Sequence, residues 1–372
     1  MKLAGFFCMM LLLVAGAAAQ GAQAKPAAPK RATGTQPKYK AIWERVPFNK
    51  DVELTAISCV AAENCWAAGA KSTILHTADG GKTWEAQLGG DPEATEEDFA
   101  EIFFLDAKHG WALTERSGLM ATTDGSTWAD LGKLPSLSRS IRFISPQTGF
   151  LMENSGSTTQ SKLQRTEDGG KTWKPVNLCT VDATVGGLPR KLQCMMRVAR
   201  FLSPTVGFLG GGAEIAMATR TATFAKTADG GQTWTTSVIP DSKHQIVDLL
   251  FWSEQQGLAV LDSGLAYWTA DGGATWTGTV NAPRWRSFYA SGEGKILVGV
   301  NRESGQQIGY SFNGGRNFTS RPFGAPAEVR AVTFFDARNG YLVGEHGMAY
   351  RYRIVPADYT SPGMIGAAAP SQ

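Results

Sequence analysis

The chain has 372 residues, 36 Lys and Arg against 33 Asp and Glu, and a net charge of +3. That balance excludes the basic composition of a nucleic-acid-binding domain, so no nucleic-acid partner is expected. The length alone would suit two or three average domains, but an internal repeat, described below, overrides it.

Taken in order, residues 1–24 read as an export signal, with Lys2 as the positive start, Phe6 to Val14 as the apolar core and Ala22-Gln23-Ala24 as the cleavage site (Ala17-Ala18-Ala19 is the second choice). The apolar run is too short to span a bilayer, so no membrane span is expected. Loss of this segment would leave 35 basic and 33 acidic residues, a net +2, and the four cysteines Cys59, Cys65, Cys179 and Cys194. An exported, periplasmic or equivalent location with an even cysteine count implies disulfides. Of the three possible pairings, Cys59–Cys65 and Cys179–Cys194 are expected because each pair sits within one local segment. Residues 25–38 (KPAAPKRATGTQPK) are basic, Pro- and Ala-rich and without apolar periodicity, and read as a disordered leader.

From Tyr39 onward one motif returns: Thr77-Ala78-Asp79-Gly80-Gly81-Lys82-Thr83-Trp84, then Thr166 to Trp173, Thr227 to Trp234 and Thr269 to Trp276. A copy one residue shorter runs Thr122 to Trp128, and a decayed one Ser311 to Phe318. The pattern Ser/Thr-x-Asp-x-Gly-x-Thr-Trp is the Asp-box of bacterial neuraminidase-type repeats. Its Asp can accept hydrogen bonds from backbone N–H groups one or two residues on. Its glycines supply positive φ, and Thr-Trp is expected to restart a strand. Asp79, Asp124, Asp168, Asp229, Asp271 and Asn313 are therefore expected to close turns rather than to catalyse.

Three further registers accompany the boxes. Apolar runs begin each unit: Leu54–Cys59, Ile102–Leu105, Ile141–Ile144, Val198–Leu202, Val247–Trp252, Trp285–Ala290 and Val332–Phe335. A small residue followed by an aromatic or aliphatic strand comes next, as in Gly110-Trp111-Ala112 and Gly149-Phe150-Leu151, and a third strand such as Ile74-Leu75-His76-Thr77 leads into the box. Seven copies of the first two registers and a repeat of the length seen in solenoids and propellers predict an all-β, seven-bladed β-propeller of four-stranded blades over 39–355. Ala41-Ile42-Trp43-Glu44 has the form of an outer strand with nothing before it, and is expected to complete the last blade and close the ring, leaving no free sheet edge there. Residues 356–372 read as a flexible tail, and a monomer is expected.

The aromatics at 43, 84, 128, 173, 234, 276 and 318 are spaced by 41, 44, 45, 61, 42 and 42 residues. The long step places an insertion at 174–196 and another at Gly210–Ala225, with smaller ones at Met152–Gln164 and Asn301–Gln307. All fall on the face opposite the boxes, where variable loops carry function. The inner strands start on that face with arginine: Arg139 and Arg142, Arg197 and Arg200, Arg284 and Arg286, and Arg330. Arginine reads carboxylates bidentately, so these seven are candidate partner-binding residues; alternatively they satisfy neighbouring carboxylates in the channel. The acidic stretch 91–98 and Glu101 supply the opposite sign.

Other chemistry finds little support. His76, His109, His244 and His346 are single residues without ligand spacing, so no metal is expected. Gly210-Gly211-Gly212 opens no helix and is not a phosphate loop, and no cofactor is expected. Trp66, Trp111, Trp285 and Tyr289 are apolar strand residues first and sugar platforms only second.

With boxes such as Thr166 to Trp173, repeats such as Gly110-Trp111-Ala112-Leu113 and an export signal, the chain resembles the photosystem II stability/assembly factor family over roughly Lys40 to Ile354. The resemblance implies a non-enzymatic propeller that holds a membrane-protein client during assembly, with an arginine-rich docking face. Glycosidases that share the box are the alternative. Sialidases look like six-bladed propellers with an Arg-Ile-Pro motif, which this chain lacks, and xyloglucanases use two propellers with acids facing across a cleft. Asp106, Asp248, Asp262 and Asp336 lie outside the boxes, but no spacing pairs them as two-carboxylate hydrolysis requires.

Overall fold

The computed structural model describes residues 39–366 except 47, 49, 90–96, 135–136, 154–162, 177–179, 217–218, 241, 284, 292–293, 295, 302–306, 323, 337 and 362–363. The chain divides into Met1–Pro37 and Lys38–Gln372, and everything described belongs to the second unit. The expected signal and leader, Cys179, Arg284 and residues 91–96 lie outside the described residues.

Seven sheets form the blades of a β-propeller, and the described residues contain no helix. Blade I is Leu54–Ala61, Asn64–Gly69, Thr73–Thr77 and Glu85–Leu88. Blade II is Phe99–Phe104, Gly110–Thr114, Gly118–Thr122 and Ala129–Lys133; blade III is Ser138–Phe143, Gly149–Glu153, Leu163–Thr166 and Lys174–Pro175. Blade IV is Leu188–Phe201, Gly207–Ala216, Thr219–Thr227 and Thr235–Val238, with Thr180–Val185 as an added strand before the first. Blade V is Ile246–Phe251, Gly257–Leu261, Leu265–Thr269 and Thr277–Asn281; blade VI is Trp285–Ala290, Leu297–Asn301, Gln307–Ser311 and Thr319–Pro322. Blade VII is Val329–Asp336, Asn339–Gly344 and Ala349–Pro356, completed by Tyr39–Arg45.

The core lies between blades rather than within them. Trp66 and Ile74 of blade I, for example, share a buried cluster with Phe99, Ile102 and Phe104 of blade II. Its recurrent element is a phenyl ring at the end of an inner strand that lies over the first glycine of its own second strand and stacks on an aromatic of the preceding blade. Trp66 stacks on Phe104, Trp111 on Phe143, Phe150 on Phe201 and Phe208 on Phe251, with ring centroids 3.5–4.9 Å apart. The glycine is required by space: a Cβ on Gly149 would lie 2.6 Å from the Phe143 ring, and Gly110, Gly207, Gly257 and Gly340 meet their own Phe in the same way. This is the physical content of the small-then-aromatic register. In blade I the Phe–Gly pair is replaced by Cys59 and Cys65, which occupy the equivalent cross-strand register and are disulfide-bonded. Cys194 is also disulfide-bonded.

The ring closes as the sequence pattern implies. Tyr39–Arg45 pairs antiparallel with Ala349–Pro356, from Tyr39 opposite Pro356 to Arg45 opposite Tyr350. Trp43 is buried there, edge-on to Phe334 and Tyr352. Where the sequence suggests a loose tail from Pro356, the structure adds Ile365–Gly366 as a fifth strand on Trp43 and Ile42. The Tyr359 hydroxyl donates to Glu44 at 2.6 Å. Each inner strand also carries a bulge four residues before the position of that phenyl ring or its replacement, at Thr55, Ala100, Arg139, Arg197, Val247, Arg286 or Arg330, and blades I and VII have a second irregularity further along.

The Phe-over-Gly contact yields a direct test. Gly149→Ala should destabilise the protein by about 1–3 kcal/mol through overpacking, measured by denaturant unfolding. Adding Phe143→Leu should recover part of the loss; an unchanged midpoint in Gly149→Ala would show that the ring can move aside freely.

Candidate functional site

The bulges organise the channel mouth on the loop face. A bulge leaves one residue unpaired and re-aims its side chain, and four of the seven bulged positions hold arginine: 139, 197, 286 and 330. The side chains of Arg139 and Arg286 are outside the described atoms. Arg197 donates through Nε to Gln245 Oε1 at 2.7 Å, and Arg220 donates to the same oxygen at 3.0 Å. Arg330 is held by three carboxylates, with Glu53 at 2.6 Å, Glu345 at 2.8 Å and Glu328 at 3.1 Å.

Three residues after the bulge in blades III and IV come Arg142 and Arg200. One residue after it in blades II and V come Glu101 and Asp248. The result is a row of charges across four consecutive blades, negative, positive, positive, negative. Arg142 pairs with Glu101, which also accepts the Ile141 N–H at 2.8 Å. Arg200 pairs with Asp248 at 2.9 Å and lies over the Phe288 ring at 5.3 Å. Burial acts against both charges, lowering the Arg200 pKa and raising that of Asp248, while each partner counters the shift of the other. Arg142 lies near enough to act on both. The arginines with described side chains therefore sit in intramolecular contacts, and Arg142, Arg200 and Arg330 are ion-paired. The sequence pointed to the arginines but not to Glu53, Gln245, Glu328 or Glu345 as their partners. The repeat register could have found Glu101 and Asp248.

The other described carboxylates to which the sequence drew attention are also engaged. Asp106 accepts the N–H groups of Lys108 and His109, Asp336 those of Arg338 and Asn339, and Asp262 lies 2.8 Å from His244. Glu97 accepts the Thr114 hydroxyl, and Asp98 the Lys71 N–H. Among the described residues no group of His, Cys, Asp or Glu could hold a metal ion. His76 stacks on Trp66 and bonds Asn64 at 2.7 Å, and burial lowers its pKa.

The boxes sit on the opposite face and repeat one hydrogen-bond pattern. Buried Thr166 accepts the Gly170 N–H at 2.9 Å and donates to Asp168, whose carboxylate accepts from the Thr172 N–H at 2.9 Å and the Thr172 hydroxyl at 2.5 Å. The boxes of Asp79, Asp229 and Asp271 match it. The carboxylate thus reaches four residues on, not one or two. In the shortened box Asp124 reaches Ser126 and Thr127. In the decayed box Asn313 still accepts the Asn317 N–H at 3.2 Å. The box Thr-Trp lies before the outer strand, which starts at Glu85, Lys174, Thr235 or Thr277. The Thr N–H and hydroxyl are spent on the carboxylate and cannot join a ladder. These bonds, the Thr172 and Thr275 hydroxyls foremost, hold Asp168 and Asp271 at about 2. The box turns also fasten neighbouring blades: the Trp66 indole donates to Gly125 O at 3.1 Å and the Trp111 indole to Gly169 O at 2.9 Å.

Comparison with known proteins gives a consistent picture. Residues 36–197 match the family described as Photosynthesis system II assembly factor YCF48. Photosystem II assembly protein Ycf48 of Synechococcus sp. is 25% identical over 307 residues, 77% of this chain and 81% of that protein. The chloroplastic photosystem II stability/assembly factor HCF136 of Arabidopsis thaliana is 26% identical over 330 residues, 83% of this chain and 79% of that one. The solved structure of YCF48 bound to D1 peptide superposes with a TM-score of 0.57 at 18% identity, covering 85% of this chain and 97% of that chain, a likeness of fold. The resemblance read from the boxes is borne out by these relatives.

Three expected outcomes follow from the geometry. Thr166→Val should cost about 1–3 kcal/mol by orphaning the buried Gly170 N–H. Asp168→Asn should cost less, because water can replace an exposed acceptor; thermal melts of the two variants decide. Stability due to the box carboxylates is in place above the ordinary range near 4. It is lost as pH falls toward their folded values, about 2 for Asp168 and Asp271. Wild type should therefore lose melting temperature below about pH 4 more steeply than Asp168→Asn. Arg200→Ala should cost about 3 kcal/mol, the low end for breaking a buried pair, since the guanidinium is partly exposed. Asp248→Asn, which keeps an acceptor, should cost less in the same unfolding assay.

Proposed function

We propose that this photosystem II assembly-factor-like propeller is an exported, non-enzymatic scaffold that holds a protein client, an envelope membrane protein or its assembly intermediate, against the loop face around the channel mouth. The observation that carries this reading is the arginine at the bulged position of blades III, IV and VI, 139, 197 and 286, at the same register of each inner strand. Sequence likeness to assembly factors over most of the chain supports it, as does likeness of fold to the solved structure of YCF48 bound to D1 peptide.

The two arginine sets divide the work. Arg142 and Arg200, neutralised by Glu101 and Asp248, form a rigid frame whose charge is already satisfied. Arg139, Arg197 and Arg286 stand at bulged positions on that frame, with Arg284 beside them in sequence, and to these positions we assign the bidentate recognition of carboxylates in an acidic client segment, Arg197 exchanging its Gln245 contact for the client. The Arg330 side, with its three glutamates, carries excess negative charge and orients the client away from blade VII. Glycoside hydrolysis would require two carboxylates free to act, whereas Glu101 and Asp248 each hold an arginine.

A cross-link pull-down from the extracytoplasmic fraction tests the proposal, comparing wild type with Arg139→Ala/Arg197→Ala/Arg286→Ala. The triple variant should melt close to wild type yet recover little client, with desolvated contacts worth about 2–5 kcal/mol each and rim contacts changing mainly on-rate and salt dependence. Recovery of the same client at the same salt by the folded variant would rule out this docking face. Glycan hydrolysis abolished by Asp248→Asn would replace the scaffold reading with an enzymatic one.

A further inference from the structure

The insertion between blades III and IV forms a hairpin, Thr180–Val185 against Leu188–Phe201, turning at Gly186-Gly187, with Val185 opposite Leu188. The neighbouring strand ends at Ala216. The register of Cys194 with Ala213 brings Lys191 level with that end. Leu188, Pro189 and Arg190 thus run beyond the end of that neighbouring strand by about 10 Å at strand rise. Leu188 is 59% exposed, and Pro189, Arg190 and Lys191 are exposed with it. From Ala183 to Met196 there is no acidic residue, and the cations are Arg190 and Lys191. The nearest acids, Asp182 opposite Lys191 and Glu214 opposite Arg220, lie level with the cations or behind them.

We propose that this tip is a membrane-surface contact, inserting Leu188 and Pro189 at the headgroup–acyl boundary of an anionic bilayer while Arg190 and Lys191 meet the phosphates. The order along the hairpin favours lipid: an apolar end first, then cations a few ångströms behind it, the layering of an interfacial anchor. A protein partner would need about 800 Å² of matched surface on this side, which the narrow end of a two-stranded hairpin does not supply. Lipid imposes no such demand for shape. The attraction is weak and electrostatic, so it orients the propeller at the membrane without fixing it there. The inference stands apart from the docking ring, since it uses none of the arginines assigned to the client.

Co-sedimentation of the full chain with phosphatidylcholine vesicles, with and without phosphatidylglycerol, tests it. Wild type should gain binding with phosphatidylglycerol and lose that gain in high salt. Arg190→Glu/Lys191→Glu should weaken the gain by about tenfold or more. Leu188→Asp should weaken binding to the mixed vesicles with melting unchanged. Equal vesicle binding by all three proteins overturns the proposal. So does a result in which the variants lose a protein cross-link but keep vesicle binding, which would make the hairpin a protein-docking element.

Discussion

The propeller depends on one contact repeated around the ring, a phenyl ring laid over a glycine and stacked on an aromatic from the blade before. Dispersion and buried area in that contact are large for each pair, and it is the blade-to-blade seam, not any single sheet, that excludes water. Because ring and glycine belong to the same blade and the stacking partner to its neighbour, each blade is incomplete alone. The substitution of a Cys59–Cys65 crosslink in blade I fits this logic: it ties the same two strand positions covalently where no ring is present. Blade VI departs in another way, with Ala290 opposite Leu297, which lies in a buried cluster with Leu250 and Leu258 of blade V.

The two faces use charge differently. On the box face, carboxylates are consumed locally by backbone N–H groups and threonine hydroxyls, so repeated aspartates leave almost no free chemistry. On the loop face, the bulge spoils one rung of every inner strand, and four of these seven positions carry arginine. A regular ladder would have offered no such positions. The charged row from Glu101 to Asp248 is the outcome in blades II to V, where burial is offset by pairing between neighbouring blades.

Much of this was legible in the residues. Seven units, four strands each and closure by the first strand follow from the period and from an orphan outer strand at Trp43, because hydrophobic repeats and turn chemistry are local signals. The boxes announced turns, but which donors the aspartate reaches depends on how tightly the glycines fold, and that local geometry is not written in the residue types. Arginine at the inner-strand starts was visible too. What was hidden was partnership: Glu53, Glu328 and Glu345 come from three different connections, and only the closed ring brings them to Arg330. The 174–196 insertion could be located by spacing, but its strand pairing could not be read, since a basic stretch with two glycines is compatible with either a loop or a hairpin.

Closure by Tyr39–Arg45 carries a consequence for how the chain acquires its shape. Pairing Tyr39 with Pro356 joins residues from opposite ends of the sequence. Such a contact bears nearly the full loop-closure entropy and cannot form until the last blade exists. Blades I to VI can assemble as the chain emerges, each on the seam of its predecessor, while the first strand waits with its ladder groups unpaired. The final event is then a docking of the two chain ends, and the added Ile365–Gly366 strand closes over it as a clasp. A chain interrupted before residue 349 would hold six seams and an open wedge, a form suited to capture by chaperones rather than to work.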